Sequence, residues 1–183
     1  MTENRGAALL LTEDDVRAVL AEPGSTVSAI DAMERAFAAY ARGDFSSAPR
    51  LHIDHPAGSG GERSGRSLRV LPCIAPAAGG AGCRIYTMNK TAGAYGAAPC
   101  ELILLFDDTS MELRSLIEDY SLHALRTAAP SAVAVRHLAK RDVRSVAVIG
   151  SGRQARGQLA AVASVCAPAD VRAKWAERLG WTR

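Results

Sequence analysis

Apolar residues recur at helical spacing near the start of the chain and at strand spacing through its middle. Thr12, three residues ahead of Asp15, has the form of a capping box and opens a short helix with Val16, Val19 and Leu20 on one face. A second helix is predicted from about Thr26 to Arg42. Ile30, Met33, Phe37 and Tyr40 or Ala41 form its apolar stripe, read as core, and Gly43 is placed to end it. Strands are expected at Ser47–His55, Leu68–Ile74, Cys83–Met88 and Cys100–Asp107, with a Gly/Ser/Arg-rich loop at Ala57–Ser67. The run Glu101–Phe106 is almost continuously apolar, as in a strand covered on both faces. It is expected to pair with Met111–Ile117 across an Asp107–Ser110 turn. Asp107 and Asp108 fit that hairpin better than they fit a pair of acid/base carboxylates.

The next pattern, Ser121–Lys140, is helical but contains Pro130, which removes one backbone donor, so a kink or two abutting helices is expected. A β-branched run, Val143–Ile149, then leads through Gly150-Ser-Gly-Arg-Gln-Ala155 into a helical pattern at Arg156–Val165, closed by Pro168.

Composition narrows the classes. With 183 residues, 48% hydrophobic and 22% charged, the chain is long enough for one large or two small domains and is neither disordered nor fibrous in character. The formal charge of +3 is scattered rather than gathered into a basic stripe, which argues against a nucleic-acid partner. Apolar runs such as Leu102–Phe106 fall far short of the ~20 residues of a membrane helix, and the start MTENRGAALLLTEDD lacks the layout of a secretory signal. A cytoplasmic protein is expected. Cys73, Cys83, Cys100 and Cys166 lie far apart with no Cys-x-x-Cys pair, and read as free thiols. His52 and Asp54 share one strand face while His55 points to the other, so these three do not read as a metal site, and His123 and His137 read as ordinary helix residues.

The clearest chemistry lies at Gly150–Ala155. A dinucleotide fingerprint needs one glycine for a tight turn, a second that lets the backbone approach the pyrophosphate, and a small third residue for close helix–strand packing. Gly150, Gly152 and Ala155 supply these, directly after a β-branched strand and before an amphipathic helix whose free N–H groups favour an anion.

The segment SVAVIGSGRQARGQL, preceded by LHALRTAAPSAVAVRHLA, resembles the ornithine cyclodeaminase/mu-crystallin family. Thr12-Glu-Asp-Asp-Val, Ala48-Pro-Arg50 and Gly82-Cys-Arg-Ile-Tyr continue the likeness in order over roughly residues 10–167. The resemblance implies an α/β substrate and dimerisation domain over residues 1–125, followed by a Rossmann-type nucleotide-binding unit from 126 to 183. It also implies NAD or NADP as cofactor, an amino acid or cyclic imino acid as substrate, and a homodimer. Arg50, Arg84 and Arg126 match the family positions that hold the substrate carboxylate, which suits planar, permanently charged guanidinium groups. Arg84 stands where the family has lysine. Thr127 matches the threonine beside the cofactor phosphates, with Gly150, Gly152, Arg153, Gln154 and Ala155 forming the phosphate turn, and Asn89 falls near a family asparagine.

Beyond Ala155 the pattern thins. The register for a second parallel strand falls on Arg172 to Lys174, only Val171 and Arg172 look strand-like, and Asp170 precedes them, at the wrong end to hold a ribose. AKWAERLGW reads as a helix, and no residue matches the family's catalytic aspartate. The expectation at this end is a truncated or rearranged member with an incomplete nucleotide-binding unit, inactive in ornithine cyclisation. Two functions stay open: an NAD(P)-dependent enzyme of amino-acid or imino-acid metabolism, and a non-catalytic, nicotinamide-binding dimer of the mu-crystallin type.

Overall fold

The structure is a computed structural model that describes residues 7–56, 65–89, 100–150 and 152–173. Most of the expected loop at Ala57–Ser67, and the helix read in AKWAERLGW from residue 174 on, lie outside these residues. The chain divides into two compact units, Met1–Val16 with Ala39–Asp119, and Arg17–Ala38 with Tyr120–Arg183.

The first unit is a mostly antiparallel sheet. Its strands are β1 (Leu9–Leu11), β2 (Ser46–Ser47), β3 (Leu51–Asp54), β4 (Arg66–Ala75), β5 (Gly80–Asn89), β6 (Glu101–Asp107) and β7 (Leu113–Glu118). They run in the order β1-β7-β6-β5-β4-β2, with β3 also paired to β4. One long predicted strand at Ser47–His55 is therefore two short ones. Pairing along β4 passes from Ser47↔Cys73 to Leu51↔Val70, and the gap holds Pro49 and Pro72, neither of which has an N–H for a ladder. β1, parallel to β7, is an addition that the sequence pattern did not announce.

The hairpin between β6 and β7 follows the expected chemistry. Asp107 Oδ1 accepts the backbone N–H groups of Thr109 (3.0 Å) and Ser110 (2.9 Å), and these bonds hold its carboxyl below the usual aspartate range. Contrary to expectation, β6 is not covered on both faces within this unit. Val70, Ile85, Leu102, Leu104 and Leu116 lie on one face and are only half-buried, with Leu51, Ile53 and Ile74 on the same face more exposed.

Helix α1 (Glu13–Ala21) begins at the expected box. Thr12 N–H donates to Asp15 Oδ2 (2.9 Å) and Asp15 N–H returns to Thr12 Oγ1 (3.4 Å). Of its apolar face Val16 is buried, while Val19 is exposed.

The second unit is built on the part of α2 (Ser25–Arg42) up to Ala38, α3 (Tyr120–Leu138) and α4 (Arg153–Val165), with a two-stranded parallel sheet of β8 (Ser145–Val148) and β9 (Asp170–Ala173). Its core joins Ile30 with Ala128, Ala129, Ala132, Val133 and Ala161, and Met33 packs against them. The rest of the α2 stripe departs from its reading as core: Phe37 is half-exposed, and Tyr40 rests edge-on against Phe45 with ring centroids 5.8 Å apart. α3 passes through Pro130 as one helix rather than two. Ala128, Ala129 and Ala132 around the proline are fully buried, and that packing offsets the missing donor.

At Gly157 a Cβ would stand 3.6 Å from the Ala124 carbonyl oxygen and 3.6 Å from Ala128 Cβ, so the glycine sets how closely α4 approaches α3. The second parallel strand, of which only Val171 and Arg172 look strand-like in sequence, is short but present: Ser145↔Asp170 through Val148↔Ala173 pair in register. Four residues are too few for a hydrophobic period to stand out, and the pairing with β8 supplies what local propensity lacks.

A polar clamp joins α2 to α3. Arg136 Nη1 donates to Asp31 Oδ1 (2.8 Å) and to Glu34, and His137 Nε2 meets the other Glu34 oxygen. Hydrogen bonds from His137 and then Arg136 hold the Glu34 carboxyl below its ordinary range. A depressed carboxyl contributes stability above its ordinary pKa and loses it as pH falls through the depressed value. The stability difference between the parent and Glu34→Gln should therefore be present at neutral pH and shrink on acidification below the carboxylate range, as denaturant titrations at several pH values would show. A difference that grows toward acid would contradict this assignment.

Candidate functional site

The glycine turn between β8 and α4 brings the predicted phosphate residues together. Gly150 has φ 113°, a conformation that side chains rarely adopt, and it turns the chain immediately after the strand. Gly152 is the N-cap of α4 and makes no side-chain cap hydrogen bond, so the N-cap leaves the free N–H groups of the first turn without a side-chain acceptor of its own. A Cβ built on Gly152 meets nothing within 4 Å, so open space faces the backbone at the point where a phosphate would approach. Arg153 is the first residue of α4, one turn earlier than the periodicity indicated. Gln154 follows with a buried side-chain oxygen, Oε1, that has no hydrogen-bond partner, and Ala155 is buried, as the third position requires. An uncapped helix end and an open backbone approach fit a pyrophosphate-bearing coenzyme.

Arg126 and Thr127 lie on α3 of the same unit. Arg126 Nη2 is 2.7 Å from His123 Nδ1. The Thr127 hydroxyl donates to the His123 carbonyl (2.7 Å), and the Thr127 carbonyl accepts from Gln158 Nε2 of α4 (3.2 Å), so the threonine is tied to the helix that carries the phosphate turn.

Arg50 and Arg84 belong to the sheet unit and differ in setting. Arg50 is exposed in the link between β2 and β3. The Arg84 side chain is 11% exposed; its Nη2 donates to Glu101 Oε2 (2.8 Å), its Nε donates to Asp119 Oδ2, and its guanidinium lies 4.2 Å from the centroid of the Tyr86 ring. Asp119 is fully buried and its Oδ1 has no partner. Glu101 and Asp119 were not singled out by sequence reasoning, although a signal was there. An arginine inside an apolar strand needs a carboxylate, and Glu101 stands across the sheet from Tyr86 on the arginine's face.

Cavities open on the sheet unit among the described residues. One of about 430 Å³ is lined chiefly by Pro72, Cys73, Ile74, Cys83, Phe106 and Met111, and burial together with the neighbouring Cys83 pushes the Cys73 thiol up. Another, of about 420 Å³, includes Asp54, His55, Arg66, Met88 and Asn89. His52 Nε2 pairs with Asp54 Oδ1 at 3.0 Å on their common face, while His55 Nδ1 lies 2.9 Å from the Pro56 carbonyl.

Comparison with known proteins gives these features a family. The model of the ornithine cyclodeaminase/mu-crystallin family matches residues 13–179. A Delta(1)-pyrroline-2-carboxylate reductase of Bacillus cereus is 30% identical over 97 residues, covering 52% of this chain and 30% of that protein. Among solved structures, an archaeal alanine dehydrogenase dimer with bound NAD superposes with a TM-score of 0.77 at 25% identity, covering 91% of this chain and 48% of the other. The Thermococcus litoralis Delta(1)-pyrroline-2-carboxylate reductase, in complex with NADH and L-proline, gives 0.73 at 25% identity, covering 94% and 51%. The chain thus spans about half the length of these solved structures and less than a third of the curated relative. With the family pattern running through almost all of its described elements, the chain belongs to the ornithine cyclodeaminase/mu-crystallin family.

Proposed function

We propose that this chain takes part in NAD(P)-dependent chemistry on an amino acid or cyclic imino acid, with the coenzyme pyrophosphate held at Gly150, Gly152 and the first turn of α4. The observation that carries this reading is the glycine turn, where Gly152 leaves open space before an uncapped helix end. The coenzymes and L-proline found with the similar dehydrogenase and reductase support the same class of ligand. When bound, the coenzyme supplies the hydride acceptor or donor; the chain's own part is to orient it and to hold the substrate. We assign the substrate and dimerisation part to residues 1–125 and the coenzyme part to residues from 126 on, with Thr127, Arg153, Gln154 and Ala155 beside the phosphates; Arg50 and Arg126 are assigned to carboxylate binding, each within its own unit.

The setting of Arg84 favours a second reading, binding without turnover. Glu101 and Asp119 already sit on the Arg84 guanidinium and balance its charge, which supports a weaker hold on a substrate carboxylate than the family position implies. Titrating the purified chain with NADH and NADPH, followed by their fluorescence, tests the common element of both readings. Saturable binding is expected, and its absence with both coenzymes would overturn them.

The apolar sheet face is assigned to a second copy of the chain. Half-buried leucine and isoleucine side chains spread over β3 to β7 leave an apolar face open among the described residues, and the similar alanine dehydrogenase is a dimer. Analytical ultracentrifugation should find a dimer that Ile53→Glu, at a side chain 59% exposed on that face, converts to a folded monomer. A monomeric parent chain would refute this assignment. The cysteines are all free, which suits the cytoplasm.

A further inference from the structure

We propose that Arg69 binds a carboxylate beyond the one that every amino or imino acid carries, so that the chain takes an amino or imino dicarboxylate. This rests on the reading above and deepens it by naming the substrate class and the side chain that selects it.

The pairing of β3, β4, β5 and β6 lines up four side chains in one row across the sheet. His52 stands opposite Arg69, Arg69 opposite Tyr86, and Tyr86 opposite Glu101. Arg84 precedes Tyr86 by two residues on β5 and so shares its face. The row runs from water into the protein, because the His52 side chain is 44% exposed and that of Glu101 is 7% exposed. Arg69 and Tyr86 are half-buried between these ends. All of these residues belong to the sheet unit.

Two arginines thus share one tyrosine, and they differ in what else holds them. The Arg84 guanidinium lies 4.2 Å from the Tyr86 ring centroid and meets both Glu101 and Asp119. Arg69 lies at 5.7 Å, near the outer limit of a cation–π contact. Its Nη1 donates to the Tyr86 hydroxyl at 3.4 Å, a long bond to a neutral acceptor. No carboxylate pairs with Arg69 among the described residues, since Glu101 and Asp119 go to Arg84 and Asp54 goes to His52. The Arg69 Nε is buried and has no hydrogen-bond partner.

A guanidinium drawn out of water needs acceptors, and a buried donor left without one is costly. If Arg69 served only through its apolar stem, a residue without a polar head would fill the same space at less cost. The edge formed by Nε and Nη2 is a fork that takes both oxygens of a carboxylate. With Nη1 on the tyrosine, that edge of Arg69 has no acceptor among the described residues. Held by one long hydrogen bond, the side chain can turn this edge toward a ligand that enters from the His52 end of the row. The α-carboxylate is already assigned to Arg50 and Arg126, so the acceptor left for Arg69 is a second carboxylate.

The test is NMR titration of the full 183-residue chain, carrying isotope-labelled arginine, with L-glutamate and L-aspartate against their amides L-glutamine and L-asparagine. Each titration is run with NADH and without it, and the Arg69 Nε–H signal is identified by its loss in Arg69→Lys. The dicarboxylates should move that signal and bind at least about tenfold more tightly than the amides, as a charge-assisted contact predicts. Arg69→Gln should bring the dicarboxylates down to the level of the amides. Arg69→Lys, which keeps the charge without the fork, should retain only part of the preference, and it carries the test if the glutamine variant fails to fold. Dicarboxylates and amides that bind alike would overturn the proposal and leave Arg69 a structural arginine, as would an Arg69→Gln chain that keeps the preference. If no amino acid binds while NADH does, this proposal falls and the coenzyme reading stands; if NADH fails to bind as well, both fall.

Discussion

Replacing Gly152 with valine should leave the chain folded and reduce its affinity for NADPH or NADH by about a hundredfold, the loss of roughly two charge-assisted hydrogen bonds between backbone and phosphate. Gly152 has φ −79° and ψ −177°, an extended conformation open to any residue, and a Cβ there meets no protein atom within 4 Å. The fold therefore has room for the side chain, and the cost to α4 of a poorer cap is about 1 kcal/mol or less. A phosphate approaching the same backbone has no such room, because the valine methyl groups fill the space it needs. Gly150 cannot serve as the probe, since its φ of 113° strains any substituted residue and confuses folding with binding. Titration with coenzyme, alongside a thermal melt, separates the two effects. A Gly152→Val chain that binds coenzyme like the parent would place the pyrophosphate elsewhere.

The second large effect is expected on stability. Asp119→Ala removes one of the two carboxylates on Arg84, leaving a nearly buried guanidinium with Glu101 alone, at a cost of about 3 kcal/mol. In a chain of this size that lowers the melting temperature by roughly 10 °C. Removing the unpartnered Oδ1 offsets part of the loss. Asp119→Asn keeps an oxygen for Arg84 Nε and should cost less, so the ordering of the two variants checks the cause. If Asp119→Ala melts with the parent, the network around Arg84 holds nothing together.

Where the sequence was legible, the signal was local. The Thr12–Asp15 box, the Asp107 turn and the Gly150–Ala155 turn each rest on side chains within a few residues of one another, and each stands in the structure as expected. What escaped depends on distant partners. β1 is three residues long and has meaning only against β7, more than a hundred positions away. β9 is strand because it lies beside β8, since Asp170-Val-Arg-Ala has little propensity of its own. The exposed half of the α2 stripe shows the converse limit, for helical spacing marks an apolar face without saying how far cover extends along it. In the sheet unit, the arginine matched to the family's lysine was legible as a position, but its partners Glu101 and Asp119 become visible only when β5, β6 and the end of β7 lie side by side.

The account turns on coenzyme binding at the glycine turn, and backbone amide NMR of the chain during titration with NADPH tests this most directly. The expected result is saturable shifts centred on Gly150, Gly152, Gln154 and Ala155, absent in Gly152→Val. Shifts confined to the sheet unit, or none at saturating coenzyme, would contradict it.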